Sequence, residues 1–269
     1  MGSLVSVFGK EKLNSSFASM ANRELGLFGL VPAALIGIAS PLCMYGTLPI
    51  SAAFARKGIR DEWLAAFMVG SILLNPQLLF YTGAIGRIAV AVRFVSGFLA
   101  AIAAGLLVHF LYKNKPFFNF ENFSDAQNRD TDPNIVLRFI KNLWRNLKAT
   151  GPAFLIGVSL ASLFETFVPA ADVAGLLGSH QLFGYMIAMS IGVPLFFCGG
   201  ATIPLLTMWL ASGLSWGTAA IFMISGQAFK IVSLGALKVV LGFKHFLFYI
   251  LFFIVFSLFS GFIVDLIFR

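Results

Sequence analysis

The sequence predicts an all-α fold: a polytopic transmembrane bundle of two homologous halves with helices broken inside the membrane. Three observations predict it: long apolar runs nearly free of charge, basic residues gathered between those runs, and a self-match at one fixed spacing. Of the 269 residues, 59% are hydrophobic and 11% are charged, and the mean hydropathy is +0.90. Soluble domains carry roughly half apolar and a quarter charged residues, so lipid is the solvent that suits this chain. At about 20 apolar residues per crossing, it has room for about seven or eight spans.

Taken in order, the first apolar run extends from Leu25 to about Met44 and continues through Pro49 towards Arg56, interrupted by proline and glycine. Trp63 to Tyr81, containing Pro76, and Val92 to Tyr112 follow. The polar stretch KNKPFFNFENFSDAQNRDTDPN comes next. In IVLRFIKNLWRNLK, Ile135, Phe139, Leu143 and Leu147 recur at helical spacing among Arg138, Lys141, Arg145 and Lys148, which predicts an amphipathic helix on the membrane surface. Further runs are Gly151 to Ala171, Leu182 to Phe197 with a proline-broken continuation to Leu210, Trp216 to Leu237, and Phe246 to Phe268. The expected organisation is a first membrane repeat over 1–112, a cytoplasmic linker over 113–148 and a second membrane repeat over 149–269.

The net charge of +8 sits in the loops, so it reads as membrane-facing and not as a nucleic-acid surface. Retention of Lys and Arg on the cytoplasmic side places the central loop inside, with Arg56, Lys57 and Arg60 on the same face. Four forward crossings then put Arg269 inside and leave Lys238 and Lys244 outside, against the rule. Lys10, Glu11 and Lys12 follow the short N-terminal apolar run, the wrong order for a signal peptide. Two cysteines make no disulfide framework.

The self-match has an offset of 155 residues: Leu27-Phe28-Gly29 recurs as Leu182-Phe183-Gly184, Gly37 as Gly192, Cys43 as Cys198, Pro49 as Pro204, Gly58 as Gly213, and Phe67-Met68 as Phe222-Met223. Paired repeats with discontinuous helices place a transporter's binding site at the midplane. Parallel halves are expected, with the first span of the first half absent, because Gly151 to Ala171 maps onto positions from before residue 1 to Ser16.

The break motifs are PLCMYGTLP (Pro41 to Pro49) and PLFFCGGATIP (Pro194 to Pro204). Proline removes a donor and glycine lets the chain open, so both segments should unwind. Unwound backbone at membrane depth must be buried in protein or face water. A simple proline kink is the alternative for either motif.

This doubled pattern, a proline, cysteine and glycine-rich break, then Pro, a short helix ending in Gly and a Phe-rich span, resembles the predicted permeases of the ArsP/YraQ type. The resemblance covers Leu25 to about Leu79 and Gly151 to about Leu237. It implies a multi-pass permease of the prokaryotic cytoplasmic membrane that exports a small solute, with metalloid or organoarsenical efflux as the family's example.

The candidate substrate-binding residues are Cys43, Gly46, Pro49, Asn75, Cys198, Gly199, Gly200, Pro204 and Gln227. Thiolate is a soft ligand for thiophilic metalloids, although a free cysteine also packs as a small hydrophobe. Asn75 and Gln227 lie within apolar runs, where polar groups mark a pathway or hold helices together. Lys230 aligns with Asn75, and Glu165 is the acid deep in its run, so the two are expected to pair as an ion-coupling couple. Arg87, Arg93, Asp172, Lys238, Lys244 and Asp265 lie near span ends, where snorkelling is the default.

No HExxH or Walker A pattern occurs, and no enzyme, cofactor or metal centre is predicted. Energy must come from an ion gradient, a partner ATPase or the solute's own gradient. The expected partners are the lipid bilayer and a small-molecule or metalloid substrate, with no nucleic acid; a homo-oligomer is left open. The rival readings are a non-transporting subunit that scaffolds a redox or metal-handling partner, and an intramembrane cysteine enzyme, which needs a base beside the thiol.

Overall fold

The structure is a computed structural model that describes residues 26–40, 44–112, 116–120, 184–190 and 202–268, with single positions 137, 140, 141, 144, 159 and 163. Among these residues the protein is helical throughout, with no strand. A 3-10 turn, Gly26–Gly29, leads into α1 (Leu30–Ala39). Then come α2 (Met44–Arg56), α3 (Asp61–Leu73), α4 (Pro76–Gly83) and α5 (Arg87–Leu111). After helical residues 184–190 follow α6 (Thr202–Ala211), α7 (Trp216–Ala228) and α8 (Ile231–Ile267). Within α8, Gly242 holds the non-helical pair φ 67°, ψ 169°. Among the described residues three stretches are long and apolar enough to cross a membrane: Asp61–Gly83, Arg87–Leu111 and Leu237–Ile267. The last two turn many large apolar side chains outward, among them Leu99, Phe110, Leu251, Phe259 and Phe262, as lipid-facing helices do.

The chain divides into two compact units: Met1–Pro76 with Phe98–Gly151 and Ala236–Phe246, and Gln77–Gly97 with Pro152–Gly235 and Leu247–Arg269.

In the first unit α1 lies parallel to α3. The Trp63 indole N–H donates to the Gly26 carbonyl at 3.0 Å. Higher up, a Cβ on Gly70 would stand 2.9 Å from the Ala34 carbonyl oxygen, and one on Gly37 would meet the Phe67 carbonyl. Small residues here let the two backbones approach, the way helices associate without a hydrophobic drive between them. The chain then reverses, and α2 descends α3: the Thr47 and Ser71 hydroxyls bond at 3.0 Å, and the Phe54 and Phe67 rings meet edge to face at 5.9 Å. Gly58, at φ 78°, takes the left-handed conformation that closes the turn into α3.

The start of α3 and the end of α5 lie together. Glu62 Oε1 lies 2.9 Å from Arg60 Nε and 3.4 Å from His109 Nδ1. Residues 116–120 cover this end, where the Phe117 N–H donates to Asp61 Oδ2 at 2.6 Å. The Asn119 N–H donates to the Val240 carbonyl at 2.9 Å, and the His245 ring lies 4.8 Å from those of Tyr112 and Phe117. Lys238 and Lys244 thus flank a segment held at the Arg60 end by the chain leaving α5.

In the second unit Asp265 gathers donors from Tyr185 Oη at 2.5 Å, Ser215 Oγ at 3.0 Å and the Gly217 N–H at 2.6 Å. The Trp209 and Phe222 rings meet edge to face at 5.3 Å, and Gly213 sits at φ 95°. The Tyr249 hydroxyl donates to the Ala228 carbonyl at the end of α7 at 3.1 Å.

Candidate functional site

Ser40, whose extended backbone (ψ 112°) ends α1, and Met44, the first described residue of α2, flank the region between the two helices. Pro49 stands inside α2, so the Tyr45 carbonyl lacks the donor that a residue four places on ordinarily supplies. Gly46 and Pro49 are half-buried in α2. Ser71, opposite Thr47, lies ten residues beyond Asp61, about 15 Å along α3 at about 1.5 Å per residue.

Around it are buried hydroxyls that the sequence reading did not single out. Thr47, Ser51 and Ser71 are 0% exposed and Ser40 is 2% exposed. Serine and threonine occur throughout the apolar runs, so their types alone carry no signal; the reversal of α2 against α3 is what collects them.

A second break follows directly. α3 stops at Leu74 and α4 starts at Pro76, so the half-buried Asn75 occupies the gap. Lys230, half-buried, holds the matching gap between α7 and α8, with φ −50° and ψ 120°. Gln227 is buried near the end of α7, and Pro204 is exposed on α6. Cys43, Cys198, Gly199, Gly200 and Glu165 lie outside the described residues, as does Asp172.

Two charged residues depart from the snorkelling expectation. Arg93 is 4% exposed and donates to the Thr82 hydroxyl and, at 3.4 Å, to the Leu78 carbonyl; Thr82 itself donates to Leu78 at 2.7 Å. Its guanidinium therefore ties α5 to α4. Asp265 likewise turns inward to the start of α7. Arg87, Lys238 and Lys244 are exposed, as span-end residues should be.

A family profile described as "Predicted permease" matches residues 1–266. UPF0718 protein MJ0584 of Methanocaldococcus jannaschii is 27% identical over 134 residues, which cover 50% of this chain and 37% of that protein. The chain thus aligns with little over a third of that relative's length. No solved structure matches the chain.

Proposed function

This chain belongs to the predicted-permease family and is a membrane transporter, and on that premise we propose that a small solute passes through a mid-depth site at two broken helices. The observation that carries the reading is the reversal between α1 and α2, a half-length hairpin whose returning arm meets Ser71 near the end of α3, about midway along the apolar stretch Asp61–Gly83. Irregular backbone at that depth needs a protein or water lining, which a permeation site provides.

The doubled architecture belongs to the same reading, and matching geometry 155 residues apart supports it. Gly58 and Gly213 both have positive φ. The edge-to-face rings of Phe54 and Phe67 recur as Trp209 and Phe222. Arg60 and Ser215 hold near-identical extended angles before their helices, at φ −65°, ψ 141° and φ −68°, ψ 150°. Asn75 and Lys230 occupy equivalent gaps.

The crossing count favours inverted halves over the parallel ones expected from the runs alone. If residues 182–210 turn back as α1 and α2 do, three crossings separate the central loop from the carboxyl end instead of four. Lys238 and Lys244 then fall on the cytoplasmic face, in keeping with the Asn119 to Val240 bond.

The solute is a thiophilic metalloid or organoarsenical, and the direction is outward across a prokaryotic cytoplasmic membrane. Cys43 and Cys198, at equivalent positions in the two breaks, are the thiol ligands. The test is growth of a transporter-deficient host on arsenicals, antimonials and other soft ions. We expect protection from the native chain and none from Cys43→Ser/Cys198→Ser, which keeps the size but loses thiolate affinity. Full protection by the double variant eliminates the thiols and leaves the unwound backbone as the binding element. No protection against any soft ion removes the metalloid reading.

A further inference from the structure

A serine or threonine hydroxyl inside a helix ordinarily donates to the carbonyl four residues back. This protein follows that habit at Thr82, Ser96, Ser190, Thr207, Ser212, Ser225 and Ser257, at 2.6–2.9 Å. Ser51 departs from it. Its residue is wholly buried on α2, yet its Oγ has no hydrogen-bond partner among the described residues, and neither does the Oγ of Ser40.

Ser51 stands beside a buried hydroxyl pair. Thr47 and Ser51 are four residues apart and share a face of α2, and Thr47 bonds Ser71 on α3. The backbone adds an acceptor, since Pro49 leaves the Tyr45 carbonyl without its helical donor. From Leu30 to Ala55 the sequence holds no acidic or basic residue. Hydroxyl and carbonyl oxygens are hard ligands. Without a carboxylate, such a set suits one positive charge and not two, because divalent ions at oxygen sites are held by carboxylates.

We propose that Thr47, Ser51 and Ser71 bind a dehydrated alkali-metal cation between α2 and α3, and that this is the ion whose gradient drives the permease. The driving role rests on the transport reading above; the binding site does not. The 155-residue counterparts of Ser51 and Ser71 are Leu206 and Gly226, so the site belongs to the first half alone.

The test is the melting temperature of the purified full chain in lipid nanodiscs, titrated with NaCl or KCl against choline chloride at constant ionic strength. A saturable rise in one alkali salt that choline does not reproduce supports the site, and that salt identifies the ion. Identical melting in all three means the hydroxyls hold only water and overturns it. Thr47→Val and Ser51→Ala should each weaken the apparent ion affinity roughly tenfold, the usual loss on removing one supporting ligand. Unchanged affinity in both overturns the residue assignment. Should Ser51→Ala not fold, Ser51→Cys keeps the volume while replacing hard oxygen by soft sulfur, and the same weakening is expected. Ion-dependent melting in a chain that moves no solute preserves the site and removes the transport reading. Solute movement with ion-independent melting removes the site alone.

Discussion

Trp63 donates its indole N–H to the carbonyl of Gly26, 37 residues upstream, at 3.0 Å. The bond ties the first turn of α3 to the turn that launches α1, so both helices start from one level. With only 10 residues, about 15 Å of rise, α1 is about half as long as a hydrocarbon core is thick. The hairpin thus depends on backbone contact along α1 and α3.

Gly37→Leu should therefore separate the two helices, since its side chain would run into the Phe67 carbonyl. We expect a loss of about 1–3 kcal/mol, the range for overpacking a close contact, read as lower thermal stability in detergent. Gly83→Leu, with open space at its Cβ, is the control and should leave melting unchanged.

Sidedness can be read by cysteine labelling in a background lacking Cys43 and Cys198. Lys57→Cys and Lys244→Cys should react with an impermeant maleimide from the cytoplasmic face. In inverted halves, Ser212→Cys should react from the other face. Labelling of Lys244→Cys from outside would restore the parallel count.

Thr82→Val should destabilise the chain by about 1–3 kcal/mol, the usual penalty for leaving a buried polar partner unsatisfied, because it withdraws an acceptor from the buried Arg93 guanidinium. Thr82→Ser should behave as the native chain does. Equal melting of both variants would show that the Leu78 carbonyl alone satisfies Arg93.

For Glu165 and Lys230, a coupling role and a structural role separate by mutation. If Glu165 carries the coupling proton, Glu165→Gln should lose gradient-driven transport and retain solute exchange. A purely structural pair would make Glu165→Gln unstable and let Lys230→Met rescue it. Normal proton-driven transport by Glu165→Gln removes the coupling role.

Some of this was legible before any coordinates. The span Asp61–Gly83 follows from an apolar run that no lipid-free environment would tolerate, and Gly58 and Gly213 were marked as equivalent by spacing alone. Both have the positive φ that glycine permits at a turn. Arg93 and Asp265 were misread because a charge near the end of an apolar run has two solutions, the headgroups or a partner within the protein. Only the neighbouring helix distinguishes them.

The sequence by itself determined that this chain is a helical membrane protein, a property that resides in side-chain hydropathy and the scarcity of charge along its apolar runs. Only the tertiary structure decided that α2 runs back along α3, that Lys238 and Lys244 belong with the Arg60 end, and that Thr47 and Ser71 meet as a buried hydroxyl pair. A run of apolar residues is compatible with crossing or with turning back, and what selects between them is close packing such as Gly37 against Phe67 and Gly70 against Ala34, contacts between residues more than thirty positions apart.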